Sequence, residues 1–214
     1  KAIQEMGYES PMPVQEEVIP FLVGDDNDVI ALAQTGTGKT AAFGLPILQK
    51  IDVTTYHPQA LVLCPTRELC LQIADDLNDY SKYIDNLKVL PVYGGSSIES
   101  QIKTLKRGVH VVVATPGRLL DLMNRKTVDL SLVKNVIMDE ADEMLNMGFT
   151  DSINAILAEV PENRNMLLFS ATMPKEIANI TKKYMKNPKE TVIGNKNEGK
   201  KTLRDGYYMV EARD

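Results

Sequence analysis

Short apolar runs recur along this chain of 214 residues, and segments with helical periodicity lie between them. The runs are rich in Val, Ile and Leu and lack the alternating polar positions of a half-exposed strand. They predict strands at residues 29–33, 60–64, 88–93, 110–114, 135–138 and 166–169. Strands alternating with helices are typical of a parallel sheet. The pattern therefore predicts an α/β fold, a doubly wound and mostly parallel sheet with helices on both faces.

Two of the connecting segments have a clear helical pattern. Residues 67–84 carry an apolar stripe at helical spacing that is interrupted once, at Ser81. Residues 174–185 carry a second stripe of the same kind. Pro116 and Pro174 stand where the first turn of a helix tolerates proline.

The character of the chain changes after residue 187, where a polar, glycine-containing stretch begins. A chain that is 43% hydrophobic and of this length can bury one full core. We therefore predict one domain over residues 1–187, a polar linker over 188–206 and the truncated start of a second domain over 207–214. The first residue is Lys1 rather than methionine, so we interpret the sequence as an excised fragment.

Composition excludes several classes of protein. The chain has 24 basic and 29 acidic side chains and a net charge of −5, which argues against bulk, sequence-blind DNA binding. Cys64 and Cys70 lack metal-ligand spacing and are expected to be reduced and buried. No apolar run approaches the roughly 20 residues of a membrane span. No signal peptide opens the sequence, so we expect an intracellular protein.

A glycine-rich segment joins the first predicted strand to a helix. It consists of Ala33, Gln34, Thr35, Gly36, Thr37, Gly38, Lys39 and Thr40. Its glycines would let backbone N–H groups turn around phosphate oxygens, Lys39 would reach the β- and γ-phosphates, and Thr40 would coordinate Mg²⁺. Ala33 stands where the general pattern has glycine, and a glycine-rich turn that binds nothing is the alternative.

Two carboxylates, Asp139 and Glu140, directly follow the strand predicted at 135–138. They should emerge at its carboxyl end, where α/β proteins bind ligands. We predict that Asp139 holds Mg²⁺ through water and that Glu140 orients and deprotonates the attacking water. The alternative is a helix start with acidic residues near its positive end, which is the stronger alternative for Asp142 and Glu143. With the phosphate loop, the pair predicts a magnesium–ATP site.

Over residues 6–185 the chain resembles the DEAD-box family of ATP-dependent RNA helicases. Residues 139–142 read Asp-Glu-Ala-Asp, the motif that names the family, and residues 33–40 resemble its phosphate loop, alanine included. Residues 7–15 look like its adenine-recognition motif, with Gln15 as the amide that reads adenine and Tyr8 as a contributor to adenine binding. The resemblance implies the N-terminal RecA-like domain of a P-loop NTPase.

Three further segments resemble the motifs with which this family grips RNA. Their residues are Pro65, Thr66, Arg67, Gly94, Gly95, Thr115, Pro116, Gly117 and Arg118. Such loops can hold a sugar-phosphate backbone without contacting base edges, and Arg67 and Arg118 would be the phosphate partners. A surface salt bridge explains each arginine equally well. The basic residues at 103, 106 and 107 are expected to be a solvated helix face.

Ser170 and Thr172 resemble the family motif that couples the state of ATP to strand separation, and the resemblance implies Asp142 as part of that coupling. Taken as bare residues, Ser170 and Thr172 are more often a strand end and a helix N-cap than such a coupling element.

The resemblance implies that the protein couples ATP binding and hydrolysis, with Mg²⁺, to local unwinding or remodelling of RNA. It also implies a second RecA-like domain with an arginine for the γ-phosphate, so the chain alone should be nearly inactive. We expect a cytoplasmic monomer that binds RNA and does not bind a membrane. An RNA clamp that stays bound and recruits partners, and a DNA-directed helicase, are the two alternatives.

Overall fold

The computed structural model describes residue 2, residues 28–33 and residues 39–193. Within these ranges seven strands form one sheet, and every neighbouring pair is parallel. The strands are β1 (Val29–Ala33), β2 (Ala60–Leu63), β3 (Val89–Val92), β4 (Val111–Ala114), β5 (Asn135–Met138), β6 (Asn165–Ser170) and β7 (Lys189–Ile193). Their order is β3-β4-β2-β5-β6-β1-β7. All six strands that the sequence predicts are present, with ends that differ by no more than one residue.

Helices cover both faces of this sheet, as a doubly wound fold requires. They are α1 (Lys39–Gln49), α2 (Arg67–Tyr80), α3 (Ile98–Arg107), α4 (Pro116–Asn124), α5 (Ala141–Asn146), α6 (Thr150–Glu159) and α7 (Lys175–Tyr184). Helices α1 and α2 pack on one core, and α4 to α7 pack on the other. Because strand side chains alternate, Val62 joins the first core while Leu61 and Leu63 join the second. The predicted α/β class is confirmed.

The strand register brings the carboxyl-terminal ends of strands β1 to β6 to the same end of the sheet. Leu63 lies beside Met138 on one side and beside Ala114 on the other. Ala114 in turn lies beside Val92. On the other half, Leu32 lies beside Ser170. The loops that follow these strands are therefore neighbours in space, and they contain most of the described residues that the sequence singles out.

Helix α2 is shorter than the predicted helix at 67–84. It ends at Tyr80, and the chain continues through a turn in which the Ile84 N–H donates to the Ser81 carbonyl at 2.8 Å. Ile84 still packs against the first core, but it does so from the turn. Because Ile84 continues the helical spacing of apolar residues, the sequence predicted a helix that ends four residues later than α2 does.

Strand β7 was not predicted. It pairs only with β1 among the described strands, so it forms an edge of the sheet. An edge strand exposes one side, and Val192 is 67% exposed while Lys189 and Glu190 are polar. Because of this mixed composition, the search for apolar runs does not identify β7 as a strand. The sheet therefore continues past residue 187 into the segment predicted as a polar linker, where residues 189–193 form a strand.

The buried residue Asp28 connects three strands at their amino-terminal ends, opposite the carboxyl-terminal ends where the predicted site lies. Asp28, just before β1, accepts hydrogen bonds from the Met166 N–H at 2.8 Å and from the Lys186 N–H at 2.6 Å. Its own carbonyl accepts from the Lys189 N–H at 2.8 Å. Burial raises the pKa of this carboxyl, and the two backbone N–H groups act against that rise. Through its side chain and its backbone carbonyl together, Asp28 thus joins the starts of β1, β6 and β7.

Other predictions concern the chain as a whole. In the described ranges, every helix is too short or too polar to cross a membrane. Cys64 and Cys70 are free and buried, as expected. The adenine-recognition segment, the phosphate-loop residues 34–38 and residues 194–214 lie outside the described residues.

Candidate functional site

The first part of the site is the junction between β1 and α1. Ala33 is the last residue of β1, and Lys39 and Thr40 are the first two residues of α1. A strand and a helix therefore flank residues 34–38, as a phosphate loop requires. The predicted loop residues Gln34, Thr35, Gly36, Thr37 and Gly38, together with Tyr8 and Gln15, lie outside the described residues.

Lys39 and Asp139 form a buried ion pair. The Lys39 Nζ donates to Asp139 Oδ1 at 2.8 Å, and the two side chains are 9% and 3% exposed. Asp139 is the first residue after β5, and its N–H donates to the Leu63 carbonyl at 2.8 Å. The Lys39 Nζ also lies 5.6 Å from the centroid of the Phe169 ring, a buried apolar wall. A cation is thus held where the ends of β1, β5 and β6 meet.

Glu140 has a strained backbone. Its φ of 49° and ψ of 50° are left-handed, a conformation that costs a residue with a side chain about 1–2 kcal/mol. Its N–H donates to Asp139 Oδ1 at 2.9 Å. Burial chiefly raises the pKa of Glu140, Asp139 raises it further, and Lys39 opposes the rise. A carboxylate with a raised pKa at a strained position is suited to act as a general base.

Asp142 joins the acidic segment to the loop after β6. Its Oδ2 accepts from the Thr172 N–H at 3.1 Å and from the Thr172 hydroxyl at 2.9 Å. Ser170, the last residue of β6, donates its hydroxyl to the Thr172 carbonyl at 2.6 Å. Thr172 therefore contacts the acidic motif directly, and Ser170 acts on it through Thr172. The two loops are therefore hydrogen-bonded to each other through Asp142 and Thr172.

A cavity of about 300 Å³ lies between these groups. Its lining comprises Ala33, Lys39, Glu140, Asp142, Glu143, Ser170 and Ala171. Thr40 has a different partner: burial raises the pKa of Asp76 on α2, and a hydrogen bond with the Thr40 hydroxyl acts against that rise. The structure thus brings Lys39, Asp139 and Glu140 together and leaves the Thr40 hydroxyl outside the group.

A second group of predicted residues follows β2, β3 and β4. Thr66 caps α2 by accepting from the Leu69 N–H at 3.2 Å, and Pro65 is buried beside it. The exposed Arg67 places its guanidinium carbon 5.0 Å from the centroid of the Tyr93 ring. Cation–π stacking of this kind orients a guanidinium without neutralising its charge. Arg67 is therefore presented to solvent in a defined direction.

The loops after β3 and β4 meet through Arg118. Gly94 and Gly95 are exposed, and Gly95 has a φ of 80°, which glycine adopts without strain. Thr115 and Pro116 are buried at the start of α4, while Gly117 is exposed. The Arg118 Nη1 donates to the Ser96 carbonyl at 3.0 Å and to Gln101 Oε1 at 3.1 Å. Arg118 therefore holds the glycine loop as well as being a candidate phosphate partner.

The two groups of residues are joined by the backbone. The Asp139 N–H bonds the Leu63 carbonyl, the Cys64 N–H bonds the Ala114 carbonyl at 3.0 Å, and the Thr115 N–H bonds the Val92 carbonyl at 2.9 Å. Each bond extends a strand pairing by one residue at the site edge. A short series of backbone hydrogen bonds therefore runs from the acidic pair to the loops after β2, β3 and β4.

Sequence reasoning missed two residues of the second group. Tyr93 supports Arg67, and Gln101 bonds both Arg118 and the Tyr93 carbonyl. An aromatic residue directly before two glycines was a signal for Tyr93. A lone glutamine in a helix carries no such signal. The basic residues of α3, Lys103, Lys106 and Arg107, are exposed as expected for a solvated face.

Residues 12–180 match the family model of the DEAD/DEAH box helicases. Over 210 residues the chain is 50% identical to a protein of Mycobacterium tuberculosis named ATP-dependent RNA helicase DeaD, a match that covers 98% of this chain and 37% of the relative. An Escherichia coli protein of the same name is 45% identical, with 98% of this chain and 33% of the relative covered. The chain thus spans about a third of the length of these curated relatives.

Two solved structures show the same fold. The crystal structure of a DEAD box protein from Methanococcus jannaschii aligns with a TM-score of 0.85 and 45% identity, covering 89% of this chain and 52% of the other. The crystal structure of a hypothetical ATP-dependent RNA helicase from Sulfolobus tokodaii aligns with a TM-score of 0.81 and 44% identity, covering 90% and 55%. The fold similarity therefore extends over nearly the whole chain.

Proposed function

This chain belongs to the DEAD/DEAH box helicase family, and from that membership we propose that it is the N-terminal RecA-like domain of an ATP-dependent RNA helicase. The enzyme couples the binding and hydrolysis of ATP to local unwinding or remodelling of RNA duplexes. The observation that carries the proposal is the Lys39–Asp139–Glu140 group at the ends of β1 and β5.

Each residue of this group has a distinct role in the proposed ATP site. Lys39 exchanges its bond to Asp139 for the β- and γ-phosphates, and the backbone of residues 34–38 surrounds the phosphate oxygens. Glu140 accepts the proton of the attacking water, a contribution of roughly 10²–10⁴ in rate. Gln15 contacts the adenine amine and N7, and Tyr8 contributes to binding the ring.

The donor set fits Mg²⁺. In the described part of the chain, no three His, Cys, Asp or Glu side chains cluster as a metal-binding group. Mg²⁺ is commonly held by one or two carboxylates, water and substrate phosphates, so it needs no such cluster. Asp139 would hold the ion through water, and Thr40 would join after turning from Asp76. The ion would neutralise charge on the phosphates.

The loops after β2, β3 and β4 form the proposed RNA surface. Thr66, Gly94, Gly95 and Gly117 are wholly or partly accessible there, and Arg67 supplies a positive charge that Tyr93 orients. Pro65, Thr115 and Pro116 shape the loops, and the partly exposed Arg118 both holds the glycine loop and supplies a second positive charge. Backbone amides, hydroxyls and a guanidinium can bind phosphates and sugars without contacting the base edges that carry sequence information.

The Asp142–Thr172 bonds are the proposed coupling element. They connect the segment that contains Glu140 to the loop that follows Ser170. A change of charge at the γ-phosphate would act on Glu140 and pass through Asp142 to Thr172. We further propose that residues 1–187 and β7 form one domain, that a second RecA-like domain completes the enzyme, and that the enzyme is a cytoplasmic monomer.

Equilibrium binding of nucleotides and strands tests the proposal. The chain should bind Mg–ATP in preference to Mg–GTP, and it should prefer single-stranded RNA to DNA of the same sequence because 2′-hydroxyls mark RNA. Equal binding of GTP would contradict the adenine assignment. Equal binding of DNA would favour a DNA-directed enzyme. With the second domain present, ATP should release one strand of a short RNA duplex, whereas a clamp would stay bound without releasing it.

A further inference from the structure

Gln101 lies beneath the proposed RNA surface and cannot touch RNA itself. It is on α3, is 5% exposed, and both ends of its amide are used. Its Nε2 donates to the Tyr93 carbonyl at 3.2 Å, and its Oε1 accepts from Arg118 Nη1 at 3.1 Å. One side chain thus bonds the loop after β3 and the first turn of α4.

The partners determine which way this amide points. A backbone carbonyl only accepts and a guanidinium only donates, so the position needs a donor and an acceptor on one short side chain. Among side chains of this length only glutamine provides both. A carboxylate would keep the bond to Arg118 but would face the Tyr93 carbonyl with a second oxygen. An apolar side chain would remove the bond to the Tyr93 carbonyl and one of the two bonds of Arg118, which would keep the Ser96 carbonyl.

The third loop is connected through Tyr93. The residue whose carbonyl Gln101 holds is also the residue whose ring carries the Arg67 guanidinium, at 5.0 Å. Arg118 in turn bonds the Ser96 carbonyl at 3.0 Å and so holds the far side of the glycine loop. The loops after β2, β3 and β4 therefore share a single buried amide.

We propose that Gln101 is a positioning residue that sets the three loops in the arrangement that binds the RNA backbone. The inference rests on the proposed RNA-binding function and extends it to a residue outside the family motifs. Prearranged loops bind more tightly because their ordering cost is not paid on binding.

The test compares Gln101→Met with Gln59→Met. Methionine has a similar volume and helix propensity and lacks both hydrogen-bonding groups. Gln59 is a matched control: its Nε2 donates to the Asp52 and Thr55 carbonyls at 2.8 Å, but it precedes β2 at the opposite edge of the sheet. Anisotropy of labelled single-stranded RNA gives the RNA affinity, and titration with Mg–ATP gives the nucleotide affinity.

We expect Gln101→Met to raise the dissociation constant for RNA about tenfold, which corresponds to ~1.4 kcal/mol, and to leave ATP affinity unchanged. Gln59→Met should change neither. Hydrogen exchange should rise at residues 93–97 and 115–118 in Gln101→Met. In Gln101→Glu, which keeps the Arg118 bond, the rise should be confined to residues 93–97.

Three results would overturn the inference. RNA binding by Gln101→Met that equals the wild type would leave the proposed function intact and remove the role of Gln101. A parallel loss of ATP affinity, or an equal loss in Gln59→Met, would mean that the effect is general destabilisation. Absence of RNA binding by the wild type would refute the proposed function itself and, with it, the role of Gln101 in RNA binding.

Discussion

At the residue scale, Lys39 and Glu140 act on different parts of the proposed substrate. Lys39 contributes charge to the bound phosphates, whereas Glu140 acts on the attacking water. We therefore predict that Lys39→Ala weakens ATP binding and Glu140→Gln retains it. Ligand at about 100 times its dissociation constant stabilises a fold by roughly 2.7 kcal/mol. Thermal melts with and without Mg–ATP should show that stabilisation for Glu140→Gln and little for Lys39→Ala.

Lys50→Ala is the control for this pair, because Lys50 is exposed just beyond the end of α1. It should melt as the wild type does in both conditions. A shift for Lys39→Ala with none for Glu140→Gln would reverse the two roles.

Sequence could predict the residues of this site that carry charge after a buried strand. Asp139 and Glu140 follow an apolar run, and their position at a strand end follows from the fold. Gln101 could not be found in this way, because its role depends on which loops meet in space. The direction of the Thr40 hydroxyl is equally unpredictable, since only the packing of α1 on α2 brings Asp76 to it.

At the element scale, Asp28 determines how β1, β6 and β7 are joined. Asp28→Ala leaves the Met166 and Lys186 N–H groups without their acceptor, and each unsatisfied buried group costs about 1–3 kcal/mol. We predict a loss of ~3 kcal/mol in the free energy of unfolding. In a chain of this size each kcal/mol shifts Tm by ~3 °C, so Tm should fall by roughly 9 °C.

Asp52→Ala provides the comparison for Asp28. The Asp52 carboxylate also accepts hydrogen bonds, from the Thr54 N–H at 3.0 Å and the Thr55 hydroxyl at 2.9 Å, but it lies in an exposed turn. Water replaces the lost acceptor there, so its Tm should change far less. A similar fall in both variants would show that burial is not the reason for the effect of Asp28.

The elements that sequence predicts well are those buried on both faces. Strands β2, β4 and β5 are fully buried and apolar apart from Asn135 at the start of β5. Strand β7 at the edge and the end of α2 have mixed composition, and tertiary contacts decide their limits. Local pattern carries no information about a strand whose only described partner, β1, lies some 160 positions earlier in the chain.

At the scale of the whole molecule, the strand order divides the site edge into two halves. Strands β3, β4 and β2 carry the proposed RNA loops, and β5, β6 and β1 carry the proposed ATP site. The boundary is the β2–β5 pair, where the Asp139 N–H bonds the Leu63 carbonyl. The order of the motifs along the sequence does not show this division, because the order of strands in the sheet depends on how the connections between strands cross over.

We predict that the 214-residue chain alone binds ATP but hydrolyses it very slowly. The proposed second domain supplies an arginine for the γ-phosphate, and such an arginine is worth roughly 10³–10⁵ in rate. Phosphate release should therefore rise by about that factor when the second domain is joined to the chain. RNA-stimulated hydrolysis by the chain alone at the rate of the two-domain protein would contradict the need for that arginine.

We also predict that RNA binding by the chain alone is weak, salt-sensitive and indifferent to base sequence. The net charge of −5 provides no long-range attraction, and the proposed charged contacts among the described residues are Arg67 and Arg118. Single strands give a salt slope of about −0.7 per neutralised phosphate, so two contacts should give about −1.4. One RNA-binding domain alone also lacks the increase in effective concentration that a second, tethered RNA-binding domain provides. Titrations of RNAs of different sequence at several salt concentrations measure both quantities. Tight binding that distinguishes sequences would require contacts to base edges, which the loops after β2, β3 and β4 are not arranged to make.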